Sequence, residues 1–373
     1  MKTLRLAVIG AGHLGRIHAK LLAEMPDVQL VGIADPVAAA REKVATDQHS
    51  IPFADHRELL GRVDGAVIAT PTRFHHAVAL DFLAKGTPLL IEKPLTSSLA
   101  EAEELVQVAE RHGALLQVGH IERFNPAFVA ATRHVNEPRY VEAVRASGFT
   151  GRSTDIGVVY DLMIHDIDLL LSLTGSPLKC VSALGLAILG RHEDVAQAHL
   201  EFENGCVANL SASRVSYHPT PKRQMQIWSA RGFAAIDFGG RTANIVRPSE
   251  AVMQHEFDYE TLDATEKAGF GQRVFNDILK IEPLEIESRN ALADELRDFV
   301  DCIRNTSSPR VTGRHGRDAV AVAQAILESI QSYTWHGQRT GSTGPLATPT
   351  PSILRGPHWP SVPQTTPVRR EAG

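Results

Sequence analysis

Cysteine is scarce in this chain: Cys180, Cys206 and Cys302 lie far apart, and none belongs to a CxxC pair. That leaves neither a disulfide framework nor zinc-ligand spacing, and it fits small apolar side chains in a reducing compartment. No metal is expected. Long apolar runs are missing as well, since no stretch approaches the roughly 18 apolar residues that a membrane-crossing helix needs. Nor is there an excess of positive charge. With 38 Lys and Arg against 43 Asp and Glu the net charge is -5, which offers no electrostatic footprint for DNA or RNA. The opening residues, MKTLRLAVIGAG, enter a strand at once, without an apolar signal segment or a small-residue cleavage site. A cytoplasmic protein is expected.

What remains is an ordinary globular composition, 43% hydrophobic and 22% charged. At 373 residues the chain calls for two domains, because single cores stop growing near about 250–300 residues. Over residues 1–120, short apolar runs (LRLAVIG, VQLVGIAD, GAVIAT, PLLIEKP, LLQVGH) alternate with helical stretches. Strands buried on both faces and joined by crossover helices predict α/β architecture with a doubly wound parallel sheet. Residues 121–336 follow another grammar. One long apolar helix over about 156–173 precedes strands joined directly to one another, and two helices near 291–304 and 316–333 close the fold. This predicts an α+β domain with an open, mostly antiparallel sheet. Within it, Asn204-Gly205 fits a type I′ hairpin turn. Residues 337–373 are rich in Pro, Thr, Ser and Gly without an apolar period, and a disordered tail is expected there.

Gly10-Ala11-Gly12-His13-Leu14-Gly15 follows the first strand and opens a helix. Gly10 permits a tight turn, Gly12 lets backbone N–H groups approach a pyrophosphate, and Gly15 lets helix and strand pack closely. Twenty residues beyond Gly15, Asp35 ends the second strand. A carboxylate there accepts hydrogen bonds from the adenosine ribose and repels a 2′-phosphate, so NAD is favoured over NADP. A helix-capping aspartate is the alternative. Two more loops fall at strand carboxyl ends, where open α/β sheets bind ligands: one carries Thr70, Pro71 and His75, the other Glu92 and Lys93.

The segment VVYDLMIHDIDLLLSL is apolar except for Asp161, His165, Asp166, Asp168 and Ser172. At about 100° per residue, Asp161, His165, Asp168 and Ser172 share one stripe. Two readings stand. One is a satisfied structural network in a buried helix. The other is a stripe lining a cavity, with His165 held by the carboxylate one turn away and tuned for general base catalysis.

Together, GAGHLG, Asp35, ATPTRFH, EKP and Asp161-x-x-x-His165-x-x-Asp168 resemble the glucose-fructose oxidoreductase / inositol 2-dehydrogenase / rhizopine catabolism (Gfo/Idh/MocA) family, over about residues 1–335. The resemblance implies a Rossmann domain followed by an α/β domain that carries substrate and oligomer contacts, hence a homodimer or homotetramer. It also implies a catalytic set of Lys93, Asp161 and His165. Where the family often has glycine inside DxGxH, this chain has Met163. VGHIERFNPAF and the long helix look like those of family members that oxidise the 3-hydroxyl of UDP-N-acetylglucosamine, a reaction that can feed lipid A synthesis. On that reading the substrate is a sugar or nucleotide sugar, contacted by His120, Arg123, Asn125 and Asp168. Cationic and amide groups at the domain junction suit a diphosphate or sugar hydroxyls, although Arg123 fits an inter-domain salt bridge equally. Rival readings are a dehydrogenase of a cyclitol or free sugar and a non-catalytic NAD-binding regulator.

Overall fold

The computed structural model describes residues 3–151, 156–189, 191–217, 220–335 and 338–339. The expected tail lies outside them except for residues 338–339, which pair with Thr334 and Trp335.

The first sheet has the order β3-β2-β1-β4-β5-β6, and every pairing in it is parallel. Its strands are β1 (Leu4–Ile9), β2 (Val28–Ala34), β3 (Ile51–Phe53), β4 (Gly65–Ile68), β5 (Leu89–Glu92) and β6 (Leu116–Gly119). Helices α1 (His13–Ala23), α2 (Ala38–Asp47), α3 (His75–Leu83) and α4 (Leu99–His112) make the crossovers. Strands β4, β5 and β6 are buried at every position, as their unbroken apolar runs require when helices cover both faces.

The short helix α5 (Pro126–Thr132) leads to β7 (Tyr140–Ala146), and α6 (Ile164–Thr174) follows. Then come β8 (Leu178–Leu186), β9 (Val195–Phe202), β10 (Val207–Ser213), β11 (Lys222–Ser229), β12 (Gly232–Asp237) and β13 (Thr242–Pro248). Helices α7 (Glu250–Met253) and α8 (Ala264–Arg273) fill the connection to β14 (Leu279–Pro283). These strands form one sheet, β14-β13-β12-β11-β7-β10-β9-β8, antiparallel throughout except for β7 beside β10. Alternate residues of β7, β9, β10 and β11 are buried, so one face packs on helices and the other stays open.

Two local expectations change. The β9–β10 turn is not type I′: Gly205 has φ +83°, but Asn204 stays at negative φ, and its side chain accepts from the Cys206 N–H. One left-handed glycine is what a three-residue hairpin with a G1 bulge needs. The long helix is also not uniform, because Val159–Met163 forms a single π turn ahead of α6.

Helices α9 (Ala291–Asn305) and α10 (Gly313–Ser332) return to the first sheet. Leu296, Phe299 and Val300 of α9 share a core with Leu6, Val8, Leu30, Val67 and Leu90. The guanidinium groups of Arg297 and Arg304 both pair with Asp27. Among the described residues no helix is long and apolar enough to cross a membrane.

Candidate active site

The glycine loop is built by contact distances. A Cβ on Gly15 would stand 1.8 Å from the Gly10 carbonyl oxygen, and one on Gly10, at φ +103°, would stand 2.5 Å from the Ala69 oxygen. No side chain fits either place. A Cβ on Gly12 meets nothing within 4 Å, so the space before α1 is open. No side chain caps α1, and among the described residues the N–H groups of Gly12, His13 and Leu14 have no acceptor. Unbonded donors at a helix start facing open space fit a pyrophosphate. Asp35 stands beside them. Its Oδ2 accepts from the Ala11 N–H at 2.7 Å and its Oδ1 from the Val37 N–H at 2.8 Å. The carboxylate therefore shapes the loop and the entry to α2, and its remaining lone pairs are available to ribose hydroxyls.

From this loop a chain of contacts leads to the second half. Gly10 abuts Ala69 and Thr70. His75 is buried, with Nε2 at 2.9 Å from the Thr70 carbonyl and Nδ1 at 2.9 Å from the Pro94 carbonyl. Its ring thus braces the two loops instead of projecting toward a ligand. Thr70 Oγ1, by contrast, is buried without a partner. Pro71 is exposed at the loop surface. Glu92 is buried and lies 2.6 Å from His18 Nε2 on α1. Burial pushes its carboxyl upward, but the His18 hydrogen bond and charge outweigh that and hold it below the usual range. Its Oε2 accepts the Lys93 N–H at 3.3 Å, which fixes the backbone from which Lys93 departs.

Lys93 then crosses to the second half. Its Nζ donates to the Asp161 carbonyl at 2.6 Å and to Asp161 Oδ1 at 3.1 Å. The carbonyl belongs to the π turn, whose widened ladder suits an outside donor. The expected Asp161–His165 dyad is corrected by this arrangement: Asp161 holds Lys93, and His165 Nδ1 is buried without a partner. Where a straight helix would stack residues 161 and 165, a π turn rotates the row. His165 stays partly exposed, yet burial and then the Lys93 charge hold its pKa well below the usual histidine value. It is a neutral imidazole beside an ammonium.

The remaining residues of the predicted set are Asn125, Arg123, Asp168 and His120. Asn125 caps α5: its Oδ1 accepts from the Ala127 N–H at 3.1 Å, and its Nδ2 donates to Glu122 at 2.9 Å. Arg123 turns to Asp168, 3.8 Å away, and to the Arg310 carbonyl at 3.5 Å, so it ties α6 to the junction. Asp168 is 2% exposed and carries one unbonded oxygen, and burial lifts its pKa to about 7 against the pull of Arg123. His120 is buried with neither ring nitrogen bonded, and burial followed by Arg123 and Lys93 pushes it down to about 3.

Three further groups escape sequence reading. Arg145 on β7 binds Asp166 through Nε at 3.1 Å and Nη2 at 2.8 Å, and Glu122 through Nη1 at 2.9 Å, all buried. This bidentate pair fixes the residue next to His165. Glu193 accepts from the Val159 N–H at 3.2 Å, at the start of the π turn. Glu295 on α9 is fully buried with neither oxygen bonded, and burial raises its pKa well above the usual carboxylate value. Only the apolar context of α6 hinted at a compensating cation for Asp166.

With both halves in place, the site defines a class: a nucleotide-binding sheet supplies an ammonium, and a second domain supplies a neutral imidazole beside it. The chain belongs to the Gfo/Idh/MocA family of oxidoreductases. Residues 4–120 match its NAD-binding Rossmann fold and residues 150–336 its C-terminal alpha/beta domain. It is 35% identical over 331 residues to the UDP-N-acetylglucosamine 3-dehydrogenase of Acidithiobacillus ferrooxidans, which covers 88% of this chain and 98% of the relative. A crystal structure of that enzyme superposes with TM-score 0.77. The scyllo-inositol 2-dehydrogenase of Bacillus subtilis is 28% identical, over 88% of this chain and 94% of its own length. The chain is thus an NAD-dependent oxidoreductase of sugar-type hydroxyl groups.

Proposed function

We propose that the chain oxidises the 3-hydroxyl of UDP-N-acetylglucosamine to a ketone, and so prepares the sugar for amination in amino-sugar biosynthesis such as that of lipid A. The observation that carries the catalytic part is the contact of Lys93 Nζ with Asp161, one turn before His165. The substrate assignment rests on the 35% identity to an enzyme of that name over nearly its whole length.

NAD, when bound, supplies the hydride acceptor. Gly12, His13 and Leu14 hold its pyrophosphate with their N–H groups, and Asp35 takes the ribose hydroxyls. His165, neutral at physiological pH, accepts the hydroxyl proton as the carbon is oxidised, with Nδ1 sealed and Nε2 left for the substrate. Lys93, pinned by Asp161, donates to the substrate oxygen and stabilises its developing negative charge. Arg145 and Asp166 keep the helix in place beneath His165. The reading includes a homo-oligomer, because the open face of the second sheet carries Tyr140, Trp228 and Phe233 in ring contact at 5.0 and 5.9 Å.

The test is an assay of reduced nicotinamide with UDP-N-acetylglucosamine, UDP-glucose, free N-acetylglucosamine and scyllo-inositol. The nucleotide-linked N-acetyl sugar should lead by at least tenfold in kcat/KM. Preference for the inositol would replace the substrate assignment with a cyclitol one. NAD binding without turnover of any of them would favour a regulator.

A further inference from the structure

Strand β11 pairs with β7, the strand whose Arg145 holds Asp166 on the catalytic helix. Its buried residues, Met225 and Ile227, point toward the helices, and Arg223 is next in that register. Arg223 lies directly across from Arg145 of β7. Two like charges opposed on one face destabilise a sheet pair. Arg145 is compensated by Asp166 and Glu122. Arg223 is not: it is exposed, and among the described residues its guanidinium has neither an ion-pair partner nor a hydrogen bond. Its charge nevertheless bears on both His165 and Asp166. The groups that face it are His165 and Asp166 on the catalytic helix and Arg145 across from it on β7. Of these, Arg145 already has carboxylate partners.

An exposed, unpaired cation across from Arg145, with its charge felt at His165 and Asp166, is available to a ligand. We propose that Arg223 binds an anionic group carried by the substrate and so selects phosphorylated or acidic sugars over neutral ones. This deepens the reading above, on which it rests for the location of the substrate. It commits to an anion on the sugar: a diphosphate, a monophosphate or a uronic carboxylate.

The experiment compares wild type with Arg223→Ala, Arg223→Gln and Arg223→Lys, using UDP-N-acetylglucosamine, N-acetylglucosamine 1-phosphate, glucuronate and free N-acetylglucosamine. A charge-assisted bond of this kind corresponds to roughly 10–100-fold in KM for the anionic sugars. The Ala and Gln variants should show that rise with kcat changed less than about threefold, while Lys recovers part of it. The KM of wild type should also climb with salt, and that of Arg223→Ala should not. NAD affinity, read by fluorescence titration, should be unchanged, and thermal unfolding should confirm that the variants fold.

The failures separate. If wild type oxidises UDP-N-acetylglucosamine and the Ala variant keeps its KM, the Arg223 proposal is overturned and the function stands. If wild type ignores that sugar but the variants weaken another anionic one, the substrate assignment falls and the Arg223 proposal stands. A loss of NAD affinity equal to the loss for substrate would place Arg223 on the cofactor and overturn the proposal.

Discussion

The glycine loop and the helix carrying His165 solve the same problem, placing polar groups against a ligand, by opposite means. At the loop, backbone does the work. Gly10 and Gly15 are fixed by carbonyls 2.5 and 1.8 Å from any added Cβ, and the ligand-facing atoms are N–H groups that no side chain caps. At the helix, side chains do it, each depending on a partner far away in sequence: Lys93 on Asp161, Arg145 on Asp166, Arg123 on Asp168. A backbone site is written locally and breaks sterically. A side-chain site is assembled from distant segments and breaks electrostatically.

The sharpest way to divide the two is through turnover. His165→Ala and Lys93→Met should each lower kcat by about 10²–10⁴ while NAD affinity, measured by fluorescence, moves far less. Equal losses in both quantities would mean that the halves are not separable. Next in size is the buried charge pair: Arg145→Met strands Asp166 and Glu122 and should cost about 3–5 kcal/mol in a urea titration, at unchanged ionic strength dependence. On the loop side, Gly15→Ala should cost roughly 3 kcal/mol, because Cβ and carbonyl cannot coexist. Gly12→Ala should leave the thermal midpoint alone and raise the Kd for NAD about tenfold, since nothing but ligand occupies that space. A destabilised Gly12→Ala would overturn the steric account.

An effect that shows only with pH concerns Asp168. Its pKa is raised to about 7 in the folded state from an ordinary 3.8, so the folded protein prefers the protonated acid. That preference favours folding fully below about pH 3.8 and is lost progressively as pH rises toward 7. Asp168→Asn, which cannot ionise, should therefore match wild type near pH 4 and exceed it by about 1–3 kcal/mol at pH 8. Equilibrium unfolding at the two pH values checks the sign.

This contrast also explains what could be read from the sequence. Gly10, Gly12, Gly15 and Asp35 were legible because each obeys a constraint set within one βαβ unit. Both sheets followed from strand periodicity in the same way. Lys93, Asp161 and His165 were legible as residues, since an ammonium at a strand end and a polar stripe on an apolar helix are conspicuous. Their pairing was not. The π turn over Val159–Met163 has no local signature in VYDLM, and it is the turn that lets Asp161 serve Lys93 instead of His165. Arg145 has no local signature, because its partners Asp166 and Glu122 sit on other elements. Asn125 looked like a ligand contact for the same reason that it caps α5: an amide ahead of Pro126 can serve either purpose.

The return of α9 to the first sheet reaches beyond packing. Leu296, Phe299 and Val300 cover apolar side chains on β1, β2, β4 and β5, and Arg297 and Arg304 fasten the same helix at Asp27. A fragment cut after residue 120 would lose the part of the core that Leu296, Phe299 and Val300 share with Leu6, Val8, Leu30, Val67 and Leu90. The nucleotide-binding half is consequently no transplantable cassette, and any chimaera that swaps substrate domains must carry α9 along with the sheet it shelters.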